Sequence, residues 1–434
     1  MANKINSLQG TQDLLPEATH KWQYVERTAL DVAKMYGFGE VRTPNIEYTE
    51  LFVRSVGDTT DVVQKEMYTF TDRGERQISL KPEGTAGIVR AAIEHNLLSG
   101  ALPQKLSYVT RCYRAERPQR GRYREFNQFG VELFGSDSPT ADVEVIMLAD
   151  SILEQLEVTD YQLMINSIGC PVCRPQYQER LKAYFTDNKD NLCETCLDRL
   201  DKNPMRIIDC KNPTCHAIAK DAPRMVGSLC EACSTHFDGV KARLDGAGVK
   251  YQLDPNIVRG LDYYTKTVFE FITHTKDGDL TLCGGGRYDG LFEMLGGASA
   301  PGVGFAMGLE RLIMTMEDNG CPFPEVEPCQ LYIAPMSEAA SVKATRLVYE
   351  LRRDGIICDH DTVGRSLKAQ MRYANKLGAV FTMVLGDDEL AAGVAKLKKM
   401  SDGTIIDIRL DEDFAGNFSM IAITESLVDL ESRA

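Results

Sequence analysis

From Gln128 to Leu133 polar and apolar residues alternate: Phe129, Val131 and Leu133 fall on one face, Gln128 and Glu132 on the other. Side chains of a strand point alternately to the two sides of a sheet, so this segment predicts a strand with a core face and a polar floor. Leu106–Arg114 reads as a second extended segment, and Pro-Gln-Arg-Gly at 118–121 makes the connection longer than a tight hairpin turn. Further upstream, Trp22, Val25, Ala29, Val32, Ala33 and Tyr36 recur at helical spacing before Gly37, which predicts an amphipathic helix over 19–37. Residues 39–52 then read as extended through Pro44, and Met67–Phe70 with Gln77–Leu80 as a hairpin. Pro82 and Gly84 break the second hairpin strand ahead of a helix, which leaves Glu83 and Thr85 at a strand-to-helix junction.

Ala141–Leu156 predicts a helix leading into a strand at 161–169. Val268, Glu270 and Ile272 alternate with Phe269 and Phe271 in another strand, and 302–312 reads as a strand running into a helix. Pro322, Pro324 and Pro328 mark a linker. Beyond it the pattern is strand (331–336), helix (339–354), strand (355–361), helix (365–377) and strand (379–386), a small α/β domain with a mixed sheet.

A chain of 434 residues with 43% hydrophobic content supports about two to three packed domains. The first residues contain no apolar leader and no apolar run is long enough to cross a bilayer, which predicts a soluble, cytoplasmic protein without membrane contact. The net charge of −14 requires cationic residues to be gathered in patches if RNA binds, because phosphates are neutralised by Lys and Arg at the contact.

Such a patch exists. Arg111, Arg114, Arg117, Arg120, Arg122 and Arg124 surround the loop between the two central strands. Guanidinium groups bind phosphate oxygens in a fork and keep their charge, so the loop reads as a clamp for a polyanion; a solvated basic turn is the alternative. The polar floor carrying Gln128 and Glu132 beside it favours the clamp. Glu83 reads equally as a helix cap or as a ligand contact. Gly260 next to Arg259 allows close backbone approach to a ligand. On the helix at 365–377, Arg365, Lys368, Arg372 and Lys376 form one basic stripe with Tyr373 beside it, either an RNA contact or a solvated face.

Thirteen cysteines without an apolar leader predict reduced thiols. Eight of them, Cys170, Cys173, Cys193, Cys196, Cys210, Cys215, Cys230 and Cys233, fall in one region that also holds His216. Three CxxC pairs have the spacing that lets two thiolates bind one tetrahedral zinc ion, so a structural zinc site is expected, with ligands enough for two; unligated core thiols are the alternative. No GxSxG elbow, HExxH helix or GxxxxGK[ST] phosphate loop is present.

The wording RAERPQRGRYREFNQFGVE at 114–132 resembles motif 2 of class II aminoacyl-tRNA synthetases, in the version seen in the histidyl-tRNA synthetase family. The helix and extended segment before residue 53 resemble motif 1, NIVRGLDYYTKTVFEF and LTLCGGGRYDGL resemble the two histidine-specific segments, and GVGFAMGLERL resembles motif 3. Lys81, Glu125 and Asn127 depart from the expected Arg, Gln and His. The resemblance implies an α/β multidomain protein. Its class II catalytic domain at 1–325 has an antiparallel β-sheet flanked by helices and a Cys-rich insertion at about 166–254, and a C-terminal α/β anticodon-binding domain follows at 330–434. It also implies a homodimer built through motif 1.

The implied reaction activates histidine with ATP and Mg2+ to histidyl-adenylate, releases diphosphate, and passes the histidyl group to the 3′ end of tRNA(His). The resemblance gives Arg259 and Arg114 the catalytic roles. It places Glu116, Arg122 and Arg311 with Arg114 on ATP, and Glu83, Thr85, Gln128, Glu132, Tyr264 and Tyr288 around histidine. Arg117, Gln119, Arg365, Lys368 and Arg372 are the expected tRNA contacts. Two other readings are a non-catalytic, synthetase-like regulatory subunit of histidine biosynthesis and a zinc-dependent RNA-binding module. The regulatory relatives lack the C-terminal domain and parts of the histidine segments, both of which this chain carries.

Overall fold

The computed structural model describes residues 4–58, 60–208, 210, 212–257, 261–276 and 278–433, with side chains as far as Glu425. The chain divides into two compact units, Met1–Pro324 and Glu325–Ala434.

In the first unit an eight-stranded sheet runs in the order Gly39–Glu40, Gln104–Tyr113, Glu125–Phe134, Gly302–Gly308, Gly278–Arg287, Thr265–Thr275, Gln162–Ser167 and Gln252–Leu253. The six central strands pair antiparallel, and the two short outer strands join parallel. The period-two pattern decides which face is which. Phe129, Val131 and Leu133 are at most 2% exposed and pack against the helices Pro16–Met35, Pro139–Gln155 and Leu309–Asn319. Gln128 and Glu132, opposite Gly308 and Gly304, point to the other side.

The first helix begins with proline, whose missing N–H is no loss in an opening turn, and the chain leaves it at Gly37, which takes φ +80°. Thr49–Val56 is a helix, not the continuation of the extended segment expected there: Leu51, Phe52, Ser55 and Val56 form one buried face at helical spacing. The hairpin Thr69–Thr71/Gln77–Leu80 pairs with Ile46–Tyr48 in a separate three-stranded sheet. Arg287, which follows the three glycines, is fully buried. It bonds Asp142 at 2.5 Å and the Ser136 carbonyl at 2.8 Å, tying its strand to the Pro139–Gln155 helix.

Between Gln162–Ser167 and Gln252–Leu253 the chain leaves the sheet and forms the helices Arg174–Asp187, Glu194–Lys202, Pro213–Lys220 and Glu231–Ala247. Their core takes in Cys173, Cys196, Cys210, Cys215 and Cys233 beside Tyr177, Leu181 and Phe185.

The second unit has a mixed sheet in the order Cys358–His360, Leu331–Pro335, Phe381–Leu385, Val394–Lys399 and Ile405–Arg409, parallel over the first three strands and antiparallel over the rest. Leu331 and Ile333 face the helix Glu338–Arg353, while Tyr332 and Ala334 face Leu367–Lys376. Among the described residues no helix is long and apolar enough to cross a membrane.

Candidate active site

The polar face of the large sheet floors a cleft of about 360 Å³ that brings together Glu83, Thr85, Arg114, Glu116, Arg122, Gln128, Tyr264 and Arg311. A larger hollow of about 640 Å³, lined by Tyr36, Asp150 and Tyr161 among others, holds none of these residues.

At one end the arginines are set by backbone carbonyls. Arg114 Nε donates to Pro82 O at 3.0 Å, and its guanidinium lies 5.3 Å from the centre of the Phe126 ring. Arg311 donates to Gly121 O at 3.0 Å and Thr281 O at 3.1 Å. Arg122 Nη1 meets Glu116 Oε2 at 3.3 Å. Burial and the like charge of Arg122 pull the Arg311 guanidinium below its usual range. A concentration of fixed positive charge is therefore present before any ligand enters. A neighbouring hollow of about 410 Å³ shares Arg122, Thr281 and Arg311 with the cleft and adds Gln119 and Arg120. Arg117 and Gln119 are exposed on the loop, and Arg120 is paired with Asp318 at 2.6 Å.

The other end is a buried hydrogen-bonded network. Glu132 accepts from Tyr108 Oη at 3.0 Å through Oε1 and from Tyr288 Oη through Oε2. Burial pushes its carboxyl up to about 8, against the downward pull of these donors. Glycines make the space: a Cβ at Gly130 would collide with the Tyr108 ring, and one at Gly304 with the Glu132 carboxylate. The Tyr263 ring centre lies 4.6 Å from that of Tyr264, with the rings tilted, and 5.6 Å from that of Tyr288, edge to face. Glu132 and Tyr288 are covered, whereas Gln128, Tyr263 and Tyr264 line the cleft itself. Glu83 combines both of its expected parts: its oxygens accept from Thr85 N and Ala86 N at 2.8 Å each, capping the helix Thr85–Glu94, and the residue also lines the cleft.

Five residues that sequence reasoning did not assign belong here: Tyr108, Phe126, Tyr263, Glu270 and Glu310. Glu310 accepts from Asn127 N at 2.8 Å and Asn127 Nδ2 at 3.1 Å, and burial pushes its carboxyl up to about 7. The signals available for these two acids were the period-two placement of Glu270 and the position of Glu310 beside Arg311. Arg259 lies outside the described residues.

The eight insertion cysteines come together as two sets of four, Cys170/Cys173/Cys230/Cys233 and Cys193/Cys196/Cys210/Cys215, with the sulfurs of each set within 4.8 Å of one another. His216 belongs to neither set. In the second unit, Arg365 precedes the helix rather than lying on it, is held by Asp361 at 2.8 Å, and lies 4.4 Å over the Tyr373 ring. Lys368 and Arg372 are exposed on the helix.

An antiparallel sheet whose polar face carries a motif 2 arginine from one strand pair and a motif 3 arginine from the following strand and helix is the catalytic core of a class II aminoacyl-tRNA synthetase. A profile described as Histidyl-tRNA synthetase matches residues 10–173 and 188–312, and one described as Anticodon binding domain matches 330–415. A histidine–tRNA ligase from Acetivibrio thermocellus is 51% identical over 402 residues, 93% of this chain and 96% of its own. One from Clostridium perfringens is 50% identical over 408 residues, 94% of this chain and 97% of its own. The crystal structure of apo S. aureus histidyl-tRNA synthetase superposes with a TM-score of 0.82 at 38% identity, covering 96% of this chain and 100% of that one. The chain belongs to the histidyl-tRNA synthetase family.

Proposed function

We propose that this chain is a histidine–tRNA ligase that activates histidine with ATP and charges tRNA(His) in the cytoplasm. The observation that carries the reading is the joining of two unlike ends in one cleft: fixed arginines for phosphates, and a buried acid-and-hydroxyl network for a polar side chain. Histidine's carboxylate is already ionised and attacks the α-phosphorus; a phosphorus–oxygen bond forms, the bond to the bridging oxygen breaks, and diphosphate leaves. Arg114 stands between the ends and holds the α-phosphate with the substrate carboxylate, while Arg122 and Arg311 take the outer phosphates. Phe126 offers a flat face for the base, with Glu116 beside it. Glu270 and Glu310, which line the cleft, would offer oxygen ligands to a Mg2+ ion bound with ATP, which would neutralise phosphate charge there.

Tyr264 and the Glu132–Tyr288 pair select the imidazole, with Glu83, Thr85 and Gln128 around the backbone part of histidine. A site that hydrogen-bonds both ring nitrogens discriminates strongly against apolar analogues, because its own buried groups are left unpaired. The first unit is the catalytic domain and the second the anticodon-binding domain. Arg117 and Gln119 reach the acceptor end of tRNA; Lys368 and Arg372 contact its phosphates, with Arg365 fixed beside them. The homodimer assembles on the small sheet, where Ile46, Tyr48 and Phe70 share one face and are 50%, 57% and 44% exposed.

The test is exchange of pyrophosphate into ATP with each of the twenty amino acids. Exchange with histidine alone is expected; exchange with none of them, by folded protein, overturns the reading in favour of the regulatory one. Arg259→Ala loses exchange and keeps histidine binding; an unchanged rate removes Arg259 from catalysis.

A further inference from the structure

The insertion takes no part in the chemistry above, yet it holds eight of the thirteen cysteines. Sulfur–sulfur separations within the sets are 3.8 Å for Cys170–Cys173, 3.8 Å for Cys170–Cys230, 3.9 Å for Cys173–Cys233 and 3.9 Å for Cys193–Cys210. A tetrahedron with zinc–sulfur bonds of about 2.3 Å has edges of about 3.8 Å. A disulfide brings its sulfurs to about 2.05 Å. The sulfurs are therefore spaced as ligands of single ions and not as cystines, and they enclose no room for an iron–sulfur cluster.

The surroundings suit thiolates. Cys173, Cys193 and Cys230 each stand directly before a helix, next to its positive end. Backbone N–H groups also point at the sulfurs: Cys170 N at Cys173 Sγ (3.3 Å), Cys193 N at Cys215 Sγ (3.1 Å) and Asn212 N at Cys210 Sγ (3.4 Å). Donors of this kind orient metal-bound ligands. Arg174 sits within electrostatic reach of Cys173, Cys170 and Cys233, opposite in sign to the net charge of a divalent ion with four thiolates.

Residues beside both sets hold one loop. Next to the set of Cys170, Cys173, Cys230 and Cys233, Arg174 Nη2 donates to Tyr264 O at 2.6 Å, and Lys266 N donates to Gly169 O at 2.8 Å. Next to the set of Cys193, Cys196, Cys210 and Cys215, Asn203 Nδ2 and Arg206 Nε, which lie between Cys196 and Cys210, each donate to Asp262 Oδ1 at 3.2 Å. Asp262–Tyr264 is thus held from two sides, and Tyr263 and Tyr264 line the cleft.

We propose that the insertion binds two zinc ions, one on Cys170, Cys173, Cys230 and Cys233 and one on Cys193, Cys196, Cys210 and Cys215, and that these ions position the Asp262–Tyr264 loop at the histidine end of the cleft. The positioning half rests on the reading of that end as histidine's; the metal half stands by itself.

The test uses the full chain. Elemental analysis should find two zinc ions per chain, and cobalt substitution should give the thiolate charge-transfer absorption of tetrahedral four-sulfur sites. No zinc, a single zinc, or iron in its place overturns the metal half. The double variant Cys230→Ser/Cys233→Ser should retain one zinc and bind histidine at least about tenfold more weakly by calorimetry, with ATP affinity unchanged within about twofold. Unchanged histidine affinity, or equal loss for both ligands, overturns the positioning half. If that variant does not fold, Arg174→Gln, which leaves every cysteine in place, should keep two zinc ions and weaken histidine alone; full histidine affinity in it again overturns the positioning. Two zinc ions in a native chain that binds no histidine uphold the metal sites and overturn the positioning together with the reading of the cleft.

Discussion

At the end of the cleft proposed for the nucleotide Arg122 remains 45% exposed, whereas at the end proposed for histidine Glu132, Tyr108 and Tyr288 are at most 1% exposed. The first end is made of permanent charges steadied by carbonyl groups and open to solvent, the condition for meeting a flexible, highly charged nucleotide and letting diphosphate go. The second is made of groups whose hydrogen bonds are closed on one another. On the proposed reading, selectivity comes from the polar groups that line the cleft in front of this network, where an apolar ligand would displace water without replacing its hydrogen bonds, a cost that is small for exposed groups. On that reading one cleft uses exposure for turnover and burial for choice, and substitutions at the two ends should separate accordingly.

The largest effect is expected where the ends meet. Arg114→Ala should lower pyrophosphate exchange by about 10²- to 10³-fold, because the charge lost is one that binds the reacting phosphate most tightly as it is transferred. A fall of less than about tenfold, read from kcat at saturating ligands, breaks the assignment of Arg114 to the junction.

Next is Gly304→Ala. The new methyl group would occupy the position of the Glu132 carboxylate, so the variant should lose about 1–3 kcal/mol of stability by overpacking and bind histidine poorly. Denaturant unfolding and histidine calorimetry read the two consequences. Native stability in this variant would show that the network is looser than its close contacts indicate.

Glu132 also gives the histidine end a pH signature. A carboxyl whose pKa is raised from 4.5 to about 8 in the fold contributes stability while it is protonated; that contribution is full below 4.5 and lost as pH rises through about 8. Glu310, raised to about 7, acts in the same direction. Unfolding free energy should therefore decline between roughly pH 5 and pH 8, and Glu132→Gln should flatten that decline by a few kcal/mol. An unchanged slope in Glu132→Gln would mean that the group is ionised throughout.

The smallest effect belongs to the second unit. Lys368→Ala and Arg372→Ala should each reduce the slope of log affinity for tRNA against log salt by about one, and leave pyrophosphate exchange as it was. An unchanged salt slope assigns both side chains to solvent.

Much of this was legible in the chain because motif and alternation coincide. The period-two pattern at 128–133 fixes which side chains turn away from the helices, Gln128 lining the cleft with Arg114 and Glu132 buried behind it, and the strand-to-helix turn at 302–312 brings in Arg311. What stayed hidden depends on register between distant strands. Tyr108 joins Glu132 only because Gln104–Tyr113 pairs with Glu125–Phe134 so that Tyr108 stands opposite Gly130. The helical turn at Thr49–Val56 was masked by Pro44, which governs its own neighbourhood and not residues five positions later. Eight cysteines in sequence allow many partitions into fours; the nested one follows from helix packing in the insertion.

The most direct test of the division between the two ends is a pair of dissociation constants, for histidine and for ATP, measured on Tyr288→Phe. This substitution keeps the ring and removes only the hydroxyl that Glu132 accepts. Histidine binding should weaken by about tenfold or more while ATP binding stays within about twofold of the original. Equal weakening of both, or of neither, would contradict this division.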